Sequence, residues 1–183
     1  MKLEGEVRIP SGCAISAAIS RTGRLFTGEG MIKAMEVMHE RSNGLGGGFA
    51  AYGIYPEYKD HYAFHIFYSD RNARMETESF LKERFEIVQA EVIPTHQIPE
   101  ITDVPLIWRY FLSPLRSIVE REMIDEDEYV VRAVTKINST IDGAYVFSSG
   151  KNMGTFKAVG YPEDVGVFYK IDAVDGYRWT AHG

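Results

Sequence analysis

The one cysteine of the chain, Cys13, stands in the stretch IPSGCAIS, between a Pro-Ser-Gly turn and a run of small and apolar residues. A thiol attacks as its thiolate, and a free cysteine titrates near ~8.5, so a catalytic cysteine needs a base or a positive field beside it. None of the five histidines (His39, His61, His65, His96 and His182) forms a local partner motif with Cys13. A second source of base lies in the residue itself. Removal of residues 1–12 would give Cys13 a free α-amino group, whose ordinary pKa of ~7.7–8.0 suits general-base work near neutral pH. The chain would then hold base and nucleophile together, directly or through one water. Gly12 leaves the Gly12–Cys13 bond open to attack by the thiol or by a protease. The competing role for Cys13 is a buried structural residue that packs as a small hydrophobe.

Other residue types carry less chemistry. His61 and His65 are four apart, a spacing that suits a metal on a helix but in a strand only puts both on one face, and no third ligand completes a set. A single cysteine forms no internal disulfide, four-thiolate zinc site or iron–sulfur cluster, and fits a reducing cytoplasm. The net charge of −6 and the absence of a basic stripe argue against nucleic acid as a partner. RNAR at 71–74 is followed at once by Glu76 and Glu78 and reads as a solvated loop. No run approaches the ~18 apolar residues of a membrane span, and residues 1–12 lack the apolar core of a secretory signal.

The elements that would position Cys13 follow from periodicity. CAISAAIS (13–20) is small and apolar on both alternating faces, which predicts a strand buried on both sides. Met31, Ile32, Ala34, Met35 and Met38 recur at helical spacing, predicting a core-facing helix over Glu29–Arg41 stopped by SNGLGGG. GFAAYGIYP (48–56) and HYAFHIFYSD (61–70) read as two aromatic strands of a hairpin joined by EYKD. A helix over 75–86 and a strand over 87–95 follow; LIWRYFLS within 97–124 suits either strand or helix. DEDEYVVRAVTKINSTID (125–142) has an acidic start, helical spacing and Gly143 past its end, and predicts a helix. The last forty residues alternate short strands and glycine turns with one helix starting at Pro162. The chain then stops within an apparent strand, YRWTAHG, which reads as part of something longer.

The stretch from CAISAAIS through ERSNGLGGGFAAYG resembles the opening of the class II glutamine amidotransferases, members of the N-terminal-nucleophile hydrolase superfamily. Cys13 falls at the nucleophile position, and ERSNGLGGGFAAYG where the family's Arg- and Gly-bearing turn belongs. With the IPSGC leader and WTAHG at 179–183, the combination most resembles the amidotransferase domain or subunit of archaeal-type glutamate synthases. The likeness covers 9–70 and 143–183.

The resemblance implies an α+β fold, a four-layer αββα sandwich incomplete at its C-terminus. Residues 1–12 would be a leader, 13–183 the N-terminal portion of the amidotransferase domain, and 71–142 an insertion of the glutamate synthase branch. It implies a cytoplasmic enzyme whose Cys13 forms a thioester with glutamine and releases ammonia to a glutamate synthase catalytic subunit or domain, which aminates 2-oxoglutarate. FMN and iron–sulfur clusters would belong to that partner. The family grips the glutamine carboxylate with an arginine in an H-x-R pattern. AHG at 181–183 sets that arginine just after Gly183 and keeps His182 upstream of it, the preferred alignment; the other makes Arg178 the clamp. A different class of function stays open: a non-catalytic regulatory or assembly subunit that retains the fold.

Overall fold

The computed structural model describes residues 12–183; the leader expected over 1–12 lies, but for Gly12, outside the described residues. In chain order the strands are β1 (Ile15–Ile19), β2 (Phe26–Thr27), β3 (Gly47–Tyr52), β4 (Tyr62–Tyr68), β5 (Phe85–Val92), β6 (Leu106–Pro114), β7 (Ala144–Ser148), β8 (Met153–Ala158), β9 (Asp175–Gly176) and β10 (Arg178–His182). The helices are α1 (Glu29–Glu36), α2 (Arg71–Lys82), α3 (Arg116–Glu122), α4 (Glu126–Thr140) and α5 (Pro162–Phe168). The protein is thus a mixed α+β chain. It forms two compact units: one holds the residues up to Tyr52 with Pro94–Thr102 and Phe156–Gly183, the other Gly53–Ile93 with Asp103–Thr155. The stretch 71–142 belongs to the second unit except for Pro94–Thr102.

In the first unit, to which β8 contributes Phe156–Ala158, the sheet order is β1-β10-β3-β8, with β10 antiparallel to both β1 and β3. One face of this sheet is dry. Phe49, Ala51, Trp179 and Ala181 point into it and are almost fully buried, against Met31, Ile32 and Met35 of α1 and Val165 and Phe168 of α5. Gly166 makes the close approach of α5 possible, since a Cβ there would lie 2.6 Å from Ile32 Cγ1. The helix expected over Glu29–Arg41 ends at Glu36. The Met38 N–H donates to the Met35 carbonyl and the Arg41 N–H to the Met38 carbonyl, so the chain tightens to i→i+3 bonds and finishes in a 3₁₀ turn over His39–Arg41.

Strand β1 departs from the sequence reading. It lies at the edge of its sheet, and its alternating exposure leaves Ile15 at 69% and Ile19 at 64% accessible. Small residues on both faces satisfy a doubly buried strand, yet they equally suit an edge strand over which two helices pack from one side only. Composition does not separate the two.

In the second unit the sheet order is β5-β6-β4-β7, and both faces of β4 are covered. Tyr62, Phe64, Ile66 and Tyr68 pack with Leu81 of α2 and with Tyr129, Val130, Ala133 and Ile137 of α4. Ala63 and Phe111 pack on the other side with Tyr55, Ile54 and Tyr58. The expected hairpin of β3 and β4 does not form. Gly53 takes a positive φ and Pro56–Tyr58 a 3₁₀ turn, and the two strands enter different sheets. RNAR is not a loop: Asp70 accepts a hydrogen bond from the Ala73 N–H at 2.9 Å and opens α2 at Arg71. The ambiguous LIWRYFLS is strand β6. Helix α4 forms as its sequence predicts, capped by Asp125, which accepts from the Glu128 N–H at 2.7 Å.

Candidate functional site around Cys13

Cys13 stands at the entrance to β1, and its position is set by β10. The Ala14 N–H donates to the Gly183 carbonyl at 2.7 Å, and the Gly183 N–H returns a bond to Ala14 at 3.0 Å. From this pair the register runs Ile15↔His182, Ser16↔Ala181, Ala17↔Thr180, Ala18↔Trp179 and Ile19↔Arg178. Alternation therefore sets Cys13 with Ile15, Ala17 and Ile19 on the solvent face, in company with His182, Thr180 and Arg178 of the neighbouring strand. Cys13 is exposed, which removes the buried structural role.

The chain just before Cys13 is held closely. A Cβ on Gly12 would stand 2.9 Å from the Arg41 carbonyl oxygen, so only glycine fits without a shift of backbone. Arg41 closes the 3₁₀ turn of the Arg- and Gly-bearing segment, which thereby runs beside the Gly12–Cys13 peptide. Next to it, Ser42 is 2% exposed, and its hydroxyl has no hydrogen-bond partner among the described residues. That Oγ is 3.1 Å from where a Gly183 Cβ would be.

The two candidate clamp positions separate geometrically. Arg178 is paired with Ile19, six residues along the strand from Cys13, or about 20 Å at ~3.3 Å per residue. Its guanidinium lies over the Tyr52 ring at 4.7 Å from the centroid. His182, in contrast, is the diagonal neighbour of Cys13.

No protein-family model matches the chain. It is similar to a protein of Archaeoglobus fulgidus described only as an uncharacterized protein, 49% identical over 173 residues. The match covers 93% of this chain and 46% of the relative, so the chain spans about half the length of the curated relative it matches.

Two polar arrangements were not visible in the sequence. In the first unit, His39 Nδ1–H donates to Glu163 Oε1, with the imidazole stacked on Tyr161 at 3.9 Å. The hydrogen bond to Glu163 holds the His39 pKa above its ordinary value, against a smaller opposing effect of burial. The partners are 124 residues apart, and no local pattern links them.

In the second unit, His65 is fully buried, and burial pushes its pKa down to about 3, so the ring is neutral. Its Nδ1–H donates to the Thr155 carbonyl at 2.8 Å, which leaves Nε2 to accept from the Tyr55 hydroxyl at 2.8 Å. Tyr55 in turn accepts from Arg109 Nη1 at 3.1 Å, and Arg109 is ion-paired with Glu91. Burial drives the Tyr55 phenol up to about 12. The close approach of Gly154, whose Cβ would be 2.5 Å from His65 Cε1, closes the cage. His61 is not part of it: its Nδ1 meets the Ser113 hydroxyl at 2.9 Å. Among the described residues no three His, Cys, Asp or Glu side chains stand together as a metal site, and no helix is long and apolar enough to cross a membrane.

Proposed function

We propose that the chain carries the nucleophile of a glutamine amidotransferase of the glutamate synthase type, on an αββα scaffold of the N-terminal-nucleophile kind. The observation that supports this best is the β1–β10 register. Continued by one step, it would set a residue following Gly183 directly opposite Cys13, on the same face. That is where the preferred alignment puts the carboxylate-binding arginine. The Cα atoms of directly opposed strand residues are about 5 Å apart, so a guanidinium there would hold the glutamine α-carboxylate while its side-chain amide reached the thiol. Arg178 lies about 20 Å along the strand by the same spacing, which favours the first alignment.

The chemistry then runs on Cys13. With residues 1–12 removed, its α-amine takes the thiol proton as the sulfur attacks the glutamine Cδ carbonyl; a C–S bond forms, the C–N bond breaks, and the same proton leaves on ammonia. Water hydrolyses the thioester to glutamate and restores the thiol. Ammonia is the product handed to a synthase partner, with FMN and iron–sulfur clusters on that partner. The exposed β1 edge favours a second reading, an assembly module without catalysis.

Treatment with a glutamine-mimicking diazoketone, followed by intact-mass and peptide spectrometry, separates the two. The expected result is one adduct on Cys13, protected by excess glutamine and absent in Cys13→Ala, in protein whose mass lacks residues 1–12. A full-length mass in a glutamine-hydrolysing preparation sinks the amine-as-base step. Protein extended past Gly183 and cut before Cys13 that takes no adduct sinks the enzyme reading.

A further inference from the structure

Of the four asparagines of the chain, Asn43 alone precedes a glycine. Asn72 and Asn138 lie within helices, and the Asn138 side chain is engaged at both ends: its Nδ2–H donates to the Val146 carbonyl at 3.0 Å, and its Oδ1 accepts from the Val146 N–H at 2.7 Å. Asn152 is followed by Met153, and its Oδ1 accepts from the Tyr55 N–H at 2.8 Å. Asn43 is held differently. It stands, partly exposed, in the loop between the 3₁₀ turn at His39–Arg41 and β3, and its Oδ1 accepts from the Leu45 N–H at 3.0 Å. That bond spans Gly44 and folds the side chain back over the Asn43–Gly44 peptide, toward the Gly44 nitrogen. Gly44 has no Cβ to shield its nitrogen, and its φ of +69° is one that glycine adopts without strain. The loop is backed on its other side, since a Cβ on Gly44 would lie 3.1 Å from the Tyr161 ring, on which His39 is stacked.

We propose that Asn43 is a site of self-modification, at which the side-chain amide is lost as ammonia through a cyclic imide formed with Gly44. The Gly44 nitrogen gives up its proton to water and attacks Asn43 Cγ; a C–N bond forms, and the carbonyl electron pair moves onto Oδ1. The Leu45 N–H already points at that oxygen and stabilises the charge it gains, as an oxyanion-hole donor does. Holding nitrogen and carbonyl together in one turn supplies the proximity that the attack needs. The Cγ–Nδ2 bond then breaks, and Nδ2 takes a proton from water and leaves as ammonia. Water opens the imide. Attack at Cγ gives aspartate, and attack at the main-chain carbonyl gives isoaspartate, whose main chain is longer by a methylene. The balance is one water consumed and one ammonia released. Either product puts a carboxylate in place of a neutral amide two residues from Arg41, whose carbonyl stands against Gly12. Isoaspartate also lengthens the main chain beside the Tyr161 ring. The inference rests on this loop and holds whether or not Cys13 is a nucleophile.

Incubation of the folded 183-residue chain at mildly alkaline pH, followed by peptide mass spectrometry, tests it. The expected result is a gain of about 1 Da confined to the peptide that carries Asn43, with isoaspartate and aspartate resolved by electron-transfer fragmentation. The gain should appear at least as fast as in a free RSNGLG peptide in the same buffer, because the fold presents Asn43 in the reactive arrangement. Leu45→Pro removes the N–H donor and keeps the Asn-Gly pair, at a position whose side chain is 68% exposed. It should slow the folded chain at least about tenfold and leave the rate in urea unchanged. A folded chain slower than the peptide overturns the inference, since the loop then protects Asn43. So does Leu45→Pro at the parental rate, which leaves only the reactivity common to any Asn-Gly pair. Should that variant not fold, the comparison of the folded parent with the peptide decides alone.

Discussion

The two four-stranded sheets among the described residues are built to different standards of enclosure. Strand β4 has six of its seven residues buried, with aromatic layers on either side and its one histidine fully hydrogen-bonded. Strand β1 has none buried, and packs α1 and α5 against one face of its sheet only. The candidate nucleophile stands on the open sheet. A group that must meet a substrate needs an approachable face, whereas β4 uses its burial to lock side chains. The difference teaches that enclosure, rather than strand propensity, separates the sheet that locks its side chains from the one that leaves its first strand accessible.

The same residue type in both sheets offers the sharpest way to break that comparison. Ile66 on β4 is 0% exposed and Ile19 on β1 is 64% exposed. Ile66→Ala should destabilise by about 2–5 kcal/mol through lost burial and the cavity left behind. Ile19→Ala should cost under about 1 kcal/mol, since little apolar surface leaves water on folding there. Urea unfolding followed by tyrosine and tryptophan fluorescence measures both. Comparable losses would mean that β1 is enclosed in solution and that its open face is not an accessible one.

What the sequence revealed follows the same division. Helix α4 was legible because cap, dipole and spacing all reside in its own residues: Asp125, the acids of the first turn, Tyr129, Val130, Ala133 and Ile137. The sequence places helix α2 four residues late, over 75–86 rather than Arg71–Lys82, so that Phe85 and Glu86 open strand β5 instead, although Asp70 ahead of Arg71 is an N-cap signal in plain view. Strand partners were not legible. Aromatic richness marks β3 and β4 as strands, but nothing in either says that β3 belongs beside β10 and β4 beside β6 and β7. The site divides likewise: Cys13 announces itself by type, while its exposure depends on pairing with residues 178–183 at the far end of the chain. Arg109, Tyr55 and His65 form one network from residues up to 54 apart, beyond any local pattern.

That network gives the second sheet a sensitivity to acid. Burial holds His65 at about 3, well below the ~6.5 of an exposed histidine, so between these values the unfolded chain binds a proton that the folded chain refuses. Stability is therefore complete above about pH 6.5 and falls as the pH drops toward about 3, by up to ~1.4 kcal/mol per pH unit from this residue. His65→Gln should cost about 1–3 kcal/mol at pH 7 by disturbing the bonds to Tyr55 and Thr155. It should also flatten the slope between pH 4 and 6. A variant destabilised equally at pH 4 and pH 7 would show that the histidine is not the titrating group.

His39 in the first unit predicts the opposite sign and the smallest effect. Its bond to Glu163, helped by the nearby charges of Glu40 and Asp164, holds its pKa above the ordinary value. The folded chain then keeps a proton that the unfolded chain has lost. The contribution is whole below about pH 6.5 and disappears as the pH rises through the elevated folded value. The His39 side chain is 44% exposed, so solvent screens the pair, and surface ion pairs of this kind contribute about 0.2–1 kcal/mol. His39→Gln should lower stability by no more than that at pH 6 and leave it unchanged at pH 9, with the difference shrinking at high salt. Raising the pH through the histidine range therefore removes the contribution of His39 beside Cys13 while that of His65 to stability reaches its full value. A histidine-resolved NMR titration of both rings in one sample would show the two moving apart, one above and one below the free value. Coincident titration of His39 and His65 near the free value would dissolve the contrast between the open and the enclosed sheet.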